Sequence, residues 1–220
     1  MIDMQLLVHK KRDEMRAGVL QMGELVTAAL RKSVDCLRRQ DVALAEEIIA
    51  EDRPINQHRR MLEQECLVVL AAHQPAGRDL REVGACLELV SELERIADHA
   101  ADTARIVRDA PGDGYPPDAL AKAAALGEDA TQMVADALTA FRAQDAEMAR
   151  AVAARDDRVD GLEAELIADL LRAMTEDAAL ATAGTHLLWA VHNYERAADR
   201  ATNIAERVVF VATGSTPDLD

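Results

Sequence analysis

Residues 94–104 read ERIADHAADTA, and residues 195–205 read ERAADRATNIA. The two stretches carry glutamate, arginine, alanine and aspartate at matching positions, and the second begins 101 residues after the first. Residues four apart are neighbours on one face of an α-helix. The first stretch therefore presents a column of carboxylates formed by Glu94, Asp98 and Asp102. The second presents a column of oxygen-bearing side chains formed by Glu195, Asp199 and Asn203.

The similarity between the two halves extends beyond these columns. Residues 41–52 (DVALAEEIIAED) align with residues 145–156 (DAEMARAVAARD), and residues 110–118 (APGDGYPPD) lie between the halves as a strong helix breaker. Helical periodicity is otherwise nearly continuous, with three long segments in each half. The sequence therefore predicts an all-α fold of two pseudo-symmetric three-helix bundles, in six long helical segments.

The domain limits follow from this pattern. We expect a first bundle over 1–110, a linker over 111–117, a second bundle over 118–214 and a frayed tail over 215–220. Pro54 interrupts the second segment and predicts a kink or a fresh helix start near Asp52, which would make Asp52 a helix cap.

Composition excludes several classes of function. The formal charge of −15 argues against nucleic acid and against direct binding to anionic lipid, because both need a basic surface. No apolar run approaches the roughly 20 residues that span a bilayer, and the N-terminal residues do not resemble a signal peptide. The three cysteines, Cys36, Cys66 and Cys86, are expected to be buried, reduced thiols. We expect a cytoplasmic protein that is not inserted in a membrane.

Oxygen-only columns suit Mg²⁺, Ca²⁺, Mn²⁺ or iron. A cluster also needs ligands from a facing helix, and the repeat offers two pairs with four-residue spacing. These pairs are Asp52 with Asn56 and Asp156 with Asp160. A solvated acidic face is the alternative for either column. Each column glutamate is followed by an arginine, Arg95 or Arg196, which lies about 100° round the helix and is expected to be poorly placed to neutralise its own column.

The histidines add little to this picture. His99 is expected to be an exposed polar residue, because the repeat places Arg200 at its position. His192 lies three residues before Glu195 and could reach a metal, but its counterpart is Ser91. The Glu-x-x-His pairs of di-iron bundles are absent from the sequence, as are P-loop, GxSxG, HExxH and EF-hand signatures. We therefore expect a protein that is not an enzyme.

The duplicated motif with its flanking residues resembles the PhoU-type regulatory proteins that accompany the bacterial high-affinity phosphate transporter. The resemblance covers about residues 4–213 and includes Gln74-Pro75 and Asp79-Leu80-Arg81 before the third segment. It implies two related three-helix bundles, metal ions on the columns, a homodimer and repression of the phosphate-starvation response. The implied partners are the ATPase subunit of the phosphate ABC transporter and a sensor histidine kinase. The metal (iron, zinc, manganese or magnesium) stays open, because Asn56 and Asn203 replace carboxylates.

Two other functions remain open from the sequence. The same carboxylates could serve a metal-dependent hydrolase or redox protein. A phosphotransfer module would use His99 as its phosphorylated group.

Overall fold

A computed structural model describes residues 4–110 and 114–219 of the chain. The first half contains α1 (Met4–Arg39), α2 (Val42–His73) and α3 (Gly77–Asp109). The second half contains α4 (Pro117–Ala143), α5 (Ala146–Ala153), α6 (Asp156–Glu176), a 3-10 turn (Ala178–Leu180) and α7 (Ala181–Thr213). No strand occurs within these two described ranges. The prediction of an all-α fold is thus confirmed, with the fifth segment divided into α5 and α6.

The turn between the first two helices of each half is duplicated in detail. Gln40 and Gln144 adopt left-handed backbone conformations, with φ of 53° and 54°. Each is followed by an aspartate that caps the next helix. Asp41 accepts a hydrogen bond from the Leu44 amide at 3.0 Å, and Asp145 accepts one from the Glu147 amide at 2.9 Å. These caps satisfy amides that have no partner inside the helix.

The fresh helix start considered near Asp52 is not found, since α2 runs through Pro54 without interruption. Ile48 and Ile55 are both buried on either side of the proline, so packing holds the helix together across the missing backbone donor. Asp52 therefore lies inside a helix and is not a cap. In the second half the corresponding helix does divide, after Ala153, at a place where the sequence has no proline.

The two halves pack against each other and share one continuous hydrophobic core. Close approach of α1 and α4 depends on glycine, because a Cβ atom on Gly127 would lie 2.7 Å from a methyl group of Val34. Tyr194 of α7 is fully buried, and its hydroxyl lies 3.5 Å from that of Ser33 on α1. The core thus fixes α7, which carries the second column, against the first half.

Three further features complete the fold. Cys36, Cys66 and Cys86 are free and buried as expected, and burial raises the pKa of the Cys66 thiol to about 11. The tail after α7 has no regular structure, but the Leu219 amide donates to Glu206 at 2.9 Å, so the tail is not frayed along its whole length. None of the helices over 4–110 and 114–219 is long and apolar enough to cross a membrane.

Candidate metal centre

The first cluster lies between α2 and α3, where Asp52 meets the middle of the first column. The Asp98 carboxyl is half-buried, and its pKa is raised to about 6. Burial is the largest cause, followed by the negative charges of Glu94, Asp52 and Asp102 and a hydrogen bond with Asp52. The Asn56 amide donates to Asp52 at 3.2 Å. Asp52 therefore meets the first column at Asp98, whereas Asn56 contacts Asp52 on its own helix and stays a predicted ligand.

The two ends of the first column are paired with arginines. Arg59 Nε lies 3.4 Å from Glu94 Oε1. Asp102 is exposed and forms an ion pair with Arg105, one turn further along α3. Asp102 pairs with Arg105 at the end of the column while its charge still raises the pKa of Asp98, so its role as a third ligand stays a prediction.

The second cluster lies between α6 and α7 and brings three carboxylates together. One oxygen atom each from Asp156, Asp160 and Asp199 lies within 4.8 Å of the others. The pKa of Asp199 is raised to about 7, first by burial and then by Glu195, with smaller contributions from Asp156 and Asp160 that Arg196 opposes. These residues line an open groove of about 400 Å³. The arrangement offers a cation several oxygen ligands from two helices.

Arg196 occupies a position that the helical spacing does not predict. Its guanidinium donates to both oxygens of Glu195 at 2.8 Å and lies 2.9 Å from Asp199. The expectation that this arginine cannot reach its own column is wrong, since a long side chain bends back over the adjacent turn. Arg95 is exposed.

Asn203 lines the same groove as the second cluster and also contacts the first half. Its amide nitrogen donates to Glu92 of α3 at 3.1 Å, and Arg200 lies 3.3 Å from the same Glu92 oxygen. This contact uses the amide nitrogen and not the amide oxygen, so Asn203 as the third ligand of its column stays a prediction. Glu92 joins the two halves beside the second cluster.

The histidines also differ from expectation. His99 is part-buried, not exposed, and its Nδ1 lies 3.3 Å from Asn193 Oδ1, a contact between α3 and α7. Burial lowers its pKa. His192 lies 3.5 Å from both Glu163 and Glu195.

Sequence reasoning missed Glu163. The repeat aligns it with Arg59, so the comparison of halves gave no acidic match. Its spacing was nevertheless informative, because Glu163 follows Asp156 by seven residues and Asp160 by three, on the same face of α6.

Comparison with known proteins agrees with this architecture. The family model described as "PhoU domain" matches twice, over residues 19–107 and 124–208. A homologue from Rhizobium meliloti (strain 1021) is 33% identical over 199 residues, covering 90% of this chain and 84% of its own length. A homologue from Pseudomonas aeruginosa is 34% identical over 203 residues, covering 92% and 84% respectively. Both are named phosphate-specific transport system accessory protein PhoU homologues.

Two solved structures are similar over nearly the whole chain. PhoU from Pseudomonas aeruginosa has a TM-score of 0.91 at 33% identity, covering 94% of this chain and 99% of that structure. The phosphate transport system regulatory protein PhoU from Streptococcus pneumoniae has a TM-score of 0.88 at 30% identity, covering 98% and 100%. The duplicated helical bundles and these similarities place the chain in a class of proteins named as accessory or regulatory proteins of phosphate transport. This chain belongs to the PhoU family.

Proposed function

We propose that this protein regulates phosphate uptake and represses the phosphate-starvation response as a metal-binding helical adaptor. Its partners in this role are the ATPase subunit of the phosphate ABC transporter and a sensor histidine kinase. Relatives that cover most of the chain are named as accessory or regulatory proteins of phosphate transport, which supports the regulatory part of the proposal. The role implies a cytoplasmic location, where both partners use ATP.

One observation carries the metal-binding part. Asp156, Asp160 and Asp199 hold their oxygens within 4.8 Å of one another, and the pKa of Asp199 is raised to about 7. Carboxylates this close repel one another unless a cation joins them. Arg196 supplies one positive charge against this group. A divalent ion takes oxygen ligands of this kind.

An adaptor accounts for the cluster better than a hydrolase or redox enzyme does. The groove is open, and its ionisable side chains are carboxylates and arginines, which hold cations and polar partners. The cluster sits beside Glu92, Asn203 and Arg200, which join the two halves. A bound ion there would fix the relative position of the two bundles, and a partner that contacts both bundles would sense it.

Binding to purified partners tests the proposal. The ATPase subunit and the cytoplasmic part of the kinase are immobilised separately and exposed to the protein with Mn²⁺ or with EDTA. We expect binding to both partners with Mn²⁺, weakened at least tenfold by EDTA and by the double substitution Asp98→Asn with Asp199→Asn. Asp169→Asn serves as the control, since Asp169 lies on α6 and pairs with Lys122 at 2.7 Å, away from both clusters.

Two results would contradict the proposal. Failure of the wild-type protein to bind either partner removes the adaptor role. Equal binding in Mn²⁺ and EDTA, with unchanged metal content of the double variant by elemental analysis, removes the role of metal. Light scattering of the same samples tests the proposed homodimer, for which we expect twice the 23.9 kDa mass of the chain.

A further inference from the structure

A second group of possible ligands lies beside the aspartate cluster and differs from it in chemistry. Glu163 projects from α6, and His192 and Glu195 project from neighbouring turns of α7. His192 Nδ1 lies 3.5 Å from Glu163 Oε1 and 3.5 Å from Glu195 Oε2. One ligand atom from each of the three residues lies within 4.8 Å of the others.

These separations suit a metal ion better than a direct hydrogen bond. A hydrogen bond between a nitrogen and an oxygen is usually about 2.9 Å long. Two ligands bound tetrahedrally to Zn²⁺ at about 2.0–2.1 Å lie about 3.4 Å apart by geometry. The two distances from His192 match the second value, and the His192/Glu195 spacing of three residues places both ligands on one face of α7.

The degree of burial also suits a site with one open side. The Glu195 side chain is 7% exposed and that of Glu163 is 18% exposed, whereas His192 is 46% exposed. Arg196 already donates to Glu195, but each carboxylate oxygen has a further lone pair for a metal. The two carboxylates thus form the floor of the site and the imidazole forms its rim.

The comparison of halves gives an independent reason to treat this group as a site. Arg59 stands in the first half where Glu163 stands in the second, and its Nε lies 3.4 Å from Glu94, the counterpart of Glu195. Ser91 stands where His192 stands. The first half thus fills this place with a guanidinium group. The second half has an acid and an imidazole at these two positions, so the carboxylates of Glu163 and Glu195 together carry more negative charge than the one guanidinium of Arg196 that pairs with Glu195.

We propose that Glu163, His192 and Glu195 form a binding site for a divalent transition-metal ion such as Zn²⁺ or Co²⁺, with a fourth position open to water. The imidazole nitrogen favours these ions over Mg²⁺ and Ca²⁺, which prefer oxygen ligands. Within residues 4–110 and 114–219 this set of ligands occurs in the second half alone, and the site does not require metal in the aspartate clusters.

The chain carries a reporter for this site. Trp189 is its single tryptophan, and the indole ring meets the His192 ring edge-on at 6.2 Å between centroids. Paramagnetic Co²⁺ bound to His192 would quench its fluorescence. The test is a Co²⁺ titration of the full chain in excess Mg²⁺, which occupies oxygen-only sites, followed by competition with Zn²⁺.

We expect saturable quenching at one equivalent, reversed by Zn²⁺ and weakened at least tenfold by His192→Gln and by Glu163→Gln. His186→Gln is the matched control, because it lies three residues before Trp189 as His192 lies three after, and it should leave the titration unchanged. Asp199→Asn should also leave it unchanged. This separates the site from the aspartate cluster of the proposed function.

Three outcomes would overturn the proposal. The first is no saturable quenching in the wild-type protein. The second is equal effects of His192→Gln and His186→Gln, which would indicate unspecific binding near the tryptophan. The third is loss of quenching in Asp199→Asn with retention in Glu163→Gln, which would place the ion among the aspartates.

Discussion

Substitution of Asp199 by asparagine should have opposite effects on the metal-free and metal-bound protein. Asp199 faces Asp156 and Asp160, with ligand oxygens within 4.8 Å. Two unit charges at that distance repel by about 3.5 kcal/mol at an effective dielectric constant of 20, and by about 0.9 kcal/mol in bulk water. Above its pKa of about 7 Asp199 is ionised for most of the time, and the substitution then removes its repulsion with each of the other two carboxylates.

The net gain is smaller than this repulsion. Asp160 is exposed, and Arg196 loses its charged partner on Asp199 at 2.9 Å. The smaller repulsion energy, calculated for bulk water, is therefore the appropriate one. We expect the metal-free variant to be more stable than wild type by about 1 kcal/mol. With metal the order reverses. A metal ion at a free concentration about one hundred times its dissociation constant stabilises the wild-type protein by about 2.7 kcal/mol. The variant loses most of this stabilisation because it lacks the central ligand.

The assay is urea unfolding at pH 8, in EDTA and in Mn²⁺, for wild type and variant. Asp169→Asn is the control: it removes a charge from the ion pairs of α6 with Lys122 and Arg172. It should cost less than about 1 kcal/mol in both conditions and should keep the metal response. A lower stability of Asp199→Asn than of wild type in EDTA would contradict this prediction. So would equal stabilisation of the variant and the wild type by Mn²⁺.

Two further predictions concern packing and pH. Gly127→Ala should lower the free energy of unfolding in urea by about 1–3 kcal/mol, because its Cβ would lie 2.7 Å from Val34. Gly161→Ala, where a Cβ meets nothing within 4 Å, should instead raise it by about 0.5–1 kcal/mol. Equal effects of the two substitutions would contradict the close approach of α1 and α4. In EDTA, the pKa values of Asp98 (about 6) and Asp199 (about 7) lie above the roughly 3.9 of an unfolded aspartate. The folded state therefore binds more protons between pH 4 and 7, and stability from these groups rises as pH falls through that range. The urea midpoint of wild type, relative to that of an Asp98→Asn, Asp199→Asn double variant, should therefore rise as the pH falls from 7 to 4. A difference that does not change with pH would show that the pKa values of the two carboxyls are not raised.

The sequence predicted what a helix fixes by itself. Spacing of four residues sets which side chains share a helix face, and the duplication indicated which faces carry the candidate ligands. The contact of Asp52 with Asp98 was therefore predictable. So was the grouping of Asp156 and Asp160 with Asp199. The end of α3 at Asp109 and the start of α4 at Pro117 were predictable because helix breakers act locally, whereas the division between α5 and α6 was not predicted.

Contacts that depend on side-chain direction or on the packing of helices were not predictable. Arg196 bends back to Glu195 and Asp199, which follows from its rotamer and not from its position on the helix. Asn203 turns to Glu92 because the packing of α7 on α3 places that acid within reach. Pro54 lies inside a continuous helix because buried neighbours outweigh a lost hydrogen bond, and no local rule states that balance.

The differences between the halves show why duplication of a motif does not duplicate its charge. The first column has its ends paired with Arg59 and Arg105. Its middle carboxyl, Asp98, is hydrogen-bonded to Asp52 and protonates near pH 6. The second half adds Glu163 to its acidic group and offers Arg196 as the arginine that bridges its column. More negative charge gives a stronger attraction for a divalent ion, because each added charge contributes a Coulomb term at similar distance. The second half should therefore take up metal first, although the first half carries more carboxylates in its column.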